Sequence, residues 1–317
     1  MPKQTGLGDN FYVGGYDLSG DVASVDQISA PMTPIDVTSL TFKAPQRLGG
    51  RRDGNISFTT FLDINVPTVS TPAVPASGTP YINAFPYPVH ITITGGTMTN
   101  VVINGVSVGS GAGTYTLPVN GSITLTYTVA PTWSFFVWGT EHNALASIPS
   151  ADVAVSYFQG TTIGNPAASM VSKQTNYDPT RSADASITLK VDAQANSFGV
   201  EWGRQLTGGL RTDNGPVTGP FYDHGVPPGA WGCQAYLHLV ELVGTNVQVT
   251  ITHCATSGGS YTTLIDFGSL TAIGDKRIAT ANTVTVNQFL KVVSAGTFTQ
   301  AVFGVNFVRN PAAGVAF

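Results

Sequence analysis

The sequence predicts an all-β protein, and three observations carry that prediction. Val, Thr, Ser, Gly and Ala dominate, in place of the Leu, Glu, Lys and Arg on which helices lean. Short runs of alternating apolar and polar residues recur along the chain, and no segment longer than about twelve residues keeps a helical period. Glycine (36) and proline (20) punctuate the runs at the spacing expected of turns between strands.

Taken in order, residues 1–10 are polar and read as an arm. Phe11-Tyr12-Val13 opens a strand that meets the turn-rich run Gly14-Gly15-Tyr16-Asp17-Leu18-Ser19-Gly20-Asp21. A long irregular stretch follows to about Gly50, with room for a short helix near residues 39–48 that Pro45 and Gly49-Gly50 keep short. Ile56-Ser57-Phe58-Thr59-Thr60-Phe61-Leu62 is a strand ending at Asp63, and residues 67–80 are a Pro/Ser/Thr linker, extended by composition. Beyond it lies a compact β module. Residues 89–94 alternate, and residues 101–108 read as a hairpin because Asn104-Gly105 supplies the two positive φ angles of a type I′ turn. The same signal recurs at Asn120-Gly121, between strands at 115–117 and 123–129. Strand patterns resume at 153–158, 168–175, 185–193 and 197–202, and a Gly/Pro/Asn-rich connector spans 206–229. The last region has strands at 235–242 and 247–252, parted by Gly244-Thr245-Asn246, and at 284–293 and 297–308. Four segments are therefore expected: 1–63 and 144–215 as one β domain, 64–143 as a small inserted sandwich, and 216–317 as a C-terminal sandwich of jelly-roll type.

Composition narrows the function. Hydrophobic residues make up 42%, enough burial for a folded chain, whereas charged residues make up 10% against the ~25% usual for soluble domains. A chain so poor in the residues of solvated faces covers much of its surface with protein, which points to assembly with copies of itself; the competing reading is a Gly-rich monomer. A net charge of -4 argues against sequence-reading nucleic-acid binding, which needs a clustered basic face. The first residues lead into no apolar segment, and runs such as Phe135-Phe136-Val137-Trp138 are far short of a membrane span. Cys233 and Cys254 cannot make a disulfide framework and are expected buried and reduced, as in a protein that folds in a cytoplasm.

No catalytic constellation stands out. The histidines are His90, His142, His224, His238 and His253. His238, His253 and Cys254 form a conceivable metal cluster, but alternation sends His253 and Cys254 to opposite faces. Asp223-His224 sits in a Gly/Pro-rich connector without nucleophile context and reads as a loop hydrogen-bonding pair. Only three glutamates occur, Glu141, Glu201 and Glu241, and the run Gly109-Ser110-Gly111-Ala112-Gly113 lacks the Lys-Ser/Thr of a phosphate loop. No enzyme activity, cofactor or metal is expected. Two elements suggest binding. Trp133 and Trp138, in an aromatic run, are either a platform for glycans or the core of a small sandwich. Arg47, Arg51, Arg52 and Asp53 are either partners in charge-assisted contacts between subunits or a solvated loop.

Several blocks together resemble, in order, the major tail (tail tube) proteins of long-tailed phages of actinobacteria: Gly14 to Asp21, Arg52-Asp53-Gly54, Asn176-Tyr177-Asp178-Pro179-Thr180-Arg181, Glu201-Trp202-Gly203, Arg277-Ile278-Ala279-Thr280-Ala281 and Phe307-Val308-Arg309-Asn310. The resemblance covers residues 1–63 and 144–317, and the segment between departs from it as an inserted Ig-like module. It implies a virion protein made in the host bacterial cytoplasm. Its rings, usually hexameric, stack into a tail tube in which sheets of neighbouring subunits join into an inner barrel. The partners implied are further copies, other tail proteins, and genomic double-stranded DNA sliding through the lumen without sequence-specific contact; no membrane is involved. The loop at residues 30–50 and the arms at 1–10 and 311–317 would reach the next ring. Contacts between subunits are expected at Phe11, Tyr16, Asp17, Asp21, Arg47, Arg51, Arg52, Asp53 and Phe317. The C-terminal sandwich is either a decoration or a second copy of the tube fold, the latter giving trimeric rings of pseudo-sixfold symmetry. The alternative function is a capsid or tail decoration protein that binds host-surface carbohydrate.

Overall fold

The computed structural model describes residues 8–37, 47–61, 71–85, 89–118, 120–136, 145–146, 151–181 and 187–310, without the side chains of 32–35, 47–52 and 136. The terminal arms, the tip of the loop at 38–46, Trp138, His142 and Phe317 fall outside those residues. Every named element among the described residues is a strand, as the composition requires. Six precede the insert: β1 (Asn10–Val13), β2 (Tyr16–Asp17), β3 (Val22–Ser29), β4 (Met32–Asp36), β5 (Arg47–Arg52) and β6 (Asn55–Phe61). Seven form it: β7 (Pro80–Ile82), β8 (Val89–Thr94), β9 (Thr97–Ile103), β10 (Val106–Gly109), β11 (Gly113–Leu117), β12 (Ser122–Val129) and β13 (Thr132–Phe136). Eleven follow: β14 (Val153–Phe158), β15 (Pro166–Gln174), β16 (Asp178–Arg181), β17 (Ile187–Ala195), β18 (Glu201–Gln205), β19 (Arg211–Asp213), β20 (Val217–Asp223), β21 (Cys233–Cys254), β22 (Thr262–Leu270), β23 (Gly274–Ala279) and β24 (Phe289–Arg309).

The chain divides into two compact units, Asp63–Asn143 and the remainder, Met1–Leu62 with Ala144–Phe317. The smaller unit is a sandwich of a four-stranded sheet, β10-β9-β12-β7, and a three-stranded sheet, β11-β8-β13. Alternate residues such as Ile91, Ile93, Val101, Ile123 and Leu125 fill the space between them. The β9–β10 turn has φ 48° at Asn104 and 81° at Gly105, the type I′ geometry that Asn-Gly favours. The second Asn-Gly behaves differently. β11 pairs with β8 while β12 pairs with β9 and β7, so the chain crosses between sheets there and makes no hairpin. The Pro-rich segment is also no free spacer. Tyr127 donates to the Pro75 carbonyl at 2.7 Å, and the Gly78 amide to the Leu125 carbonyl at 2.8 Å, which fastens residues 75–78 along the sandwich.

In the larger unit most strands belong to one antiparallel sheet, whose main path runs β2-β1-β14-β15-β18-β24-β21-β22. The boundary expected at 215/216 is crossed by this sheet, because β18 and β19 pair with β24 and so join the C-terminal region to the rest. The two pairs of strands expected in that region are two long ones. β21 and β24 pair along nearly their whole length, with Gly244 (φ 154°) and Gly296 (φ 120°) close to each other in register. Turn-forming residues on facing positions of a paired ribbon are absorbed as bulges, because cross-strand hydrogen bonds on both sides hold the chain extended. Two apolar clusters result: one on β21–β24 with Leu237, Val249, Phe267, Phe303 and Phe307, the other on β1, β6, β14, β15 and β17 with Phe11, Phe58, Val155, Met170 and Val191.

The sheet turns back on itself at β18–β24, so that β14 and β15 face β21 and β24. Close approach there requires Gly203. A Cβ at that position would contact the Phe307 carbonyl oxygen and stand 2.7 Å from Asn306 Oδ1 and 2.8 Å from the Phe307 carbonyl carbon. Two of those three atoms are backbone and cannot rotate away. Gly203→Ala should therefore destabilise the larger unit by about 3 kcal/mol, the upper end of overpacking costs, measured by urea unfolding of the full chain. A loss under about 0.5 kcal/mol would show that β18 and β24 are free to separate.

Candidate functional site

Two features of the larger unit present backbone edges. The first is the sheet branch β16-β17-β6-β3, in which β17 pairs with β6 and β16, and β6 with β3. β17 alternates, while β3 carries two bulges that space its apolar residues three apart. Ile56, Phe58, Leu189 and Val191 are buried on one side, with Val22, Val25 and Ile28 of β3 packed against the same cluster. The other side carries Ser24, Asp26, Thr59, Asp178, Lys190 and Asp192, a polar and mildly acidic face. Among the described residues β3 pairs only with β6 and β16 only with β17, so the branch has an open edge at each end. Beside β3 a cleft of about 440 Å³ lies against Asp9, Asn10, Phe11 and Tyr157.

The second feature is the β4–β5 ribbon. The long irregular stretch expected at residues 30–50 is at both its ends a strand. Asp36 pairs with Arg47 and Met32 with Arg52, and the Asp53 amide donates to the Pro31 carbonyl at 2.9 Å. β3 and β6 thus continue as a two-stranded ribbon, which among the described residues pairs with no third strand. Isolated two-stranded ribbons are marginal in water and gain stability from a further strand or a packed face.

The residues singled out in the sequence distribute as follows. Phe11 is 2% exposed, its ring centroid 4.5 Å from that of Phe58, so it belongs to the core of the subunit and offers no surface to another. Asp17 organises the β2 turn by accepting the Ser19 amide at 3.0 Å and the Ser19 hydroxyl, while Ser19 Oγ takes the Phe11 amide. Tyr16 is half-buried against the same cluster. Asp21 anchors β6 through its carbonyl, which accepts the Phe61 amide and the Thr60 hydroxyl. Asp53 is exposed and accepts the Gly54 amide at 2.8 Å. The side chains of Arg47, Arg51 and Arg52 lie outside the described residues. Trp133 is 7% exposed and donates from Nε1 to the Pro72 carbonyl at 2.7 Å, with Phe135 edge-on to it. It therefore fills the small sandwich and presents no ring for a sugar.

Sequence reading missed a buried polar layer between the two faces of the folded-over sheet. Glu201, fully buried, receives Arg277 through Nε at 2.9 Å and through a terminal nitrogen at 2.7 Å, and also the Tyr236 hydroxyl. Burial alone would lower the Arg277 pKa; its hydrogen bonds to Glu201 and the Glu201 charge outweigh that and raise it above the ordinary arginine value. Phe198 lies over the guanidinium at 3.6 Å. A glutamate inside a strand, in a chain with only three, was the available signal. Beside this pair, His238 Nε2 is 2.7 Å from Ser156 Oγ, with Asp275 directly across from His238 in register.

That trio resembles a nucleophile–base pair, and its geometry rules the role out. His238 Nδ1 is committed to the Gly14 carbonyl at 2.8 Å and not to Asp275. Ser156 and His238 have no exposed surface, so no substrate reaches the hydroxyl. Asp223 accepts from Gln288 and the Gly225 amide, each at 2.8 Å, and does not pair with His224, whose ring rests against Tyr222 and Phe307. His253 Nδ1 accepts the Asn287 amide. Both cysteines are free and buried, and burial pushes the Cys233 thiol up to about 12, far from a reactive thiolate.

No protein-family model matches this chain, and no curated protein does. Among solved structures it is similar to the Dit protein of phage SPP1, titled a paradigm of the hub adsorption apparatus in phages infecting Gram-positive bacteria. The match has 5% identity and a TM-score of 0.29 over 95% of this chain and 99% of that one, too loose a likeness to define a shared fold.

Proposed function

We propose that the chain is a structural virion protein that polymerises as stacked rings into a phage tail tube, the conduit for DNA. The observation that carries the reading is the four-stranded branch β16-β17-β6-β3 with an open edge at each end. Unlike edges at opposite ends pair head to tail, and a head-to-tail contact generates a ring when its rotation closes. Joining the β3 edge of one copy to the β16 edge of the next makes a continuous barrel and removes the edges that would otherwise aggregate. The polar face of that barrel, with Asp26, Asp178 and Asp192 against Lys190, suits a lumen along which DNA passes without sticking. The ordered sequence blocks support the same reading. The β4–β5 ribbon supplies the contact along the tube.

Purified protein examined by negative-stain microscopy and sedimentation should form rings or tubes. Lysines on the outer strand, Ala23→Lys with Ser24→Lys, should leave a folded monomer that no longer closes rings, since charged edge residues block strand addition. A wild-type chain that stays monomeric at high concentration, or edge variants that assemble normally, would sink the reading.

A further inference from the structure

The buried polar layer contains a hydrogen-bond chain whose direction one backbone carbonyl sets when His238 is neutral. Asn306 Nδ2 donates to Ser169 Oγ at 2.8 Å, Ser169 and Ser156 hydroxyls are 2.6 Å apart, and Ser156 Oγ is 2.7 Å from His238 Nε2. At the far end His238 Nδ1 meets the Gly14 carbonyl at 2.8 Å. A carbonyl only accepts, so the His238 proton is on Nδ1 and Nε2 is the acceptor. Ser156 must then donate to His238, and Ser169, already accepting from Asn306, must donate to Ser156. All four side chains have no exposed surface. They come from β24, β15, β14 and β21, and the chain ends on the turn between β1 and β2.

We propose that this chain is a proton-operated lock between the β21–β24 layer and the β1–β2 turn, with His238 as its switch and Asp275 as the counter-ion. A second proton on His238 turns Nε2 into a donor. Ser156 must then accept, and for each buried hydroxyl proton to keep a partner within the chain, the Ser156 proton points to Ser169 and the Ser169 proton to Asn306. Asn306 satisfies it only by rotating its amide to present Oδ1, the atom that has no partner in the present arrangement. The chain therefore has two orderings, neutral and charged; the charged one moves the Asn306 amide where β24 meets Gly203 and gives up its Nδ2 contacts to Ser169 and to the Ala167 carbonyl at 3.5 Å.

The groups facing His238 are few. Tyr12 of β1 stacks at 5.6 Å, and Asp17 beyond it acts on Tyr12. Asp275 of β23 accepts the Ala154 amide at 2.9 Å. β14, β15 and β24 contribute only the uncharged Ser156, Ser169 and Asn306, and the Glu201–Arg277 pair is satisfied within itself. Burial lowers the His238 pKa, opposed by Asp275 and by the Gly14 hydrogen bond, and burial raises that of Asp275. A depressed histidine contributes stability that is present above its unfolded value of about 6.5 and lost as pH falls through the folded one. Asp275 works in the opposite sense, its contribution being lost as pH rises through its own raised value.

The test is histidine-selective nitrogen NMR with amide hydrogen exchange on the full chain. At pH about 7 His238 should show the Nδ1–H tautomer, identified by its loss in His238→Gln. Between pH about 7 and about 5, exchange at residues 12–18 should accelerate at least tenfold beyond the intrinsic rate, and the Asn306 side-chain amide should shift with the same midpoint. Glutamine donates to Gly14 and accepts from Ser156 without titrating, so His238→Gln should lack the acceleration. An Nε2–H tautomer, equal acceleration in the glutamine variant, or a stationary Asn306 amide would overturn the lock. Where the glutamine variant fails to fold, Ser169→Ala serves, and titration of His238 should then leave Asn306 unmoved. Ring formation is not part of any readout, so the lock and the tube reading fail separately.

Discussion

Replacing Arg277 with methionine should destabilise the larger unit by about 3–5 kcal/mol, because it strands a buried carboxylate. Glu201 has no exposed surface, and two of its hydrogen bonds come from the guanidinium. Only the Tyr236 hydroxyl would remain. The methionine stem keeps the packing against Phe198, so the loss reports the charge and not a cavity. Adding Glu201→Gln to the variant should recover most of it, since the carboxylate charge is then gone. For a unit of this size the single variant corresponds to a fall in melting temperature of roughly 6–20 °C, read by calorimetry on the full chain. A fall of about 2 °C or less would mean that water reaches Glu201 and that the layer is less dry than its burial indicates.

What was legible in the sequence follows from what each signal encodes. Alternation at 89–94 located β8 to the residue, because a two-residue period with one face buried fixes a strand without reference to its partner, and the strand-like run at 153–158 likewise located β14. Turn signals were less reliable where partners decide. Gly244-Thr245-Asn246 reads as a turn, yet hydrogen bonds to β24 carry the strand through it. Asn120-Gly121 reads as a hairpin, yet the flanking strands pair in different sheets. Pairing also decided the extent of the larger unit. Strands far apart in sequence, such as β18 and β24, hydrogen-bond directly, and no local pattern records that. The same holds for the polar layer. Glu201 and Arg277 look like ordinary charges until the sheet folds over and removes water from both. Phe11 was misplaced for a related reason: a strand's two faces are distinguished only by what covers them, and β6 covers the face that bears Phe11.

Reversing the charge of the ribbon with Arg51→Glu and Arg52→Glu should abolish assembly and leave the subunit folded. Residues 32–52 hold Lys43, Arg47, Arg51 and Arg52 against Asp36 alone, a net charge of +3, while the whole chain is -4. Residues 8–31 hold Asp9, Asp17, Asp21 and Asp26 and no lysine or arginine. β3 belongs to that acidic stretch, and the ribbon continues from β3; under the tube reading the basic ribbon of one copy meets the acidic stretch of another. A contact between unlike surfaces of this kind propagates, and each copy contributes both halves. Two reversed charges at each contact should raise the concentration needed for assembly at least about tenfold, equivalent to 1.4 kcal/mol per contact, with cooperative polymerisation deepening the loss. The melting temperature is the control, and the tube reading expects it to stay within about 0.5 kcal/mol of stability of the wild type while assembly is lost. Salt separates this contact from strand pairing. Assembly of the wild-type chain should weaken as ionic strength rises past about 0.15 M, where charges more than about 8 Å apart are screened, and backbone pairing should not respond. Asp21→Lys should weaken assembly in the same way, and adding it to the reversed ribbon should restore assembly in part. Reversed-ribbon protein that assembles at the wild-type concentration, or a combined variant no better than the reversed ribbon, would place the contact along the tube elsewhere.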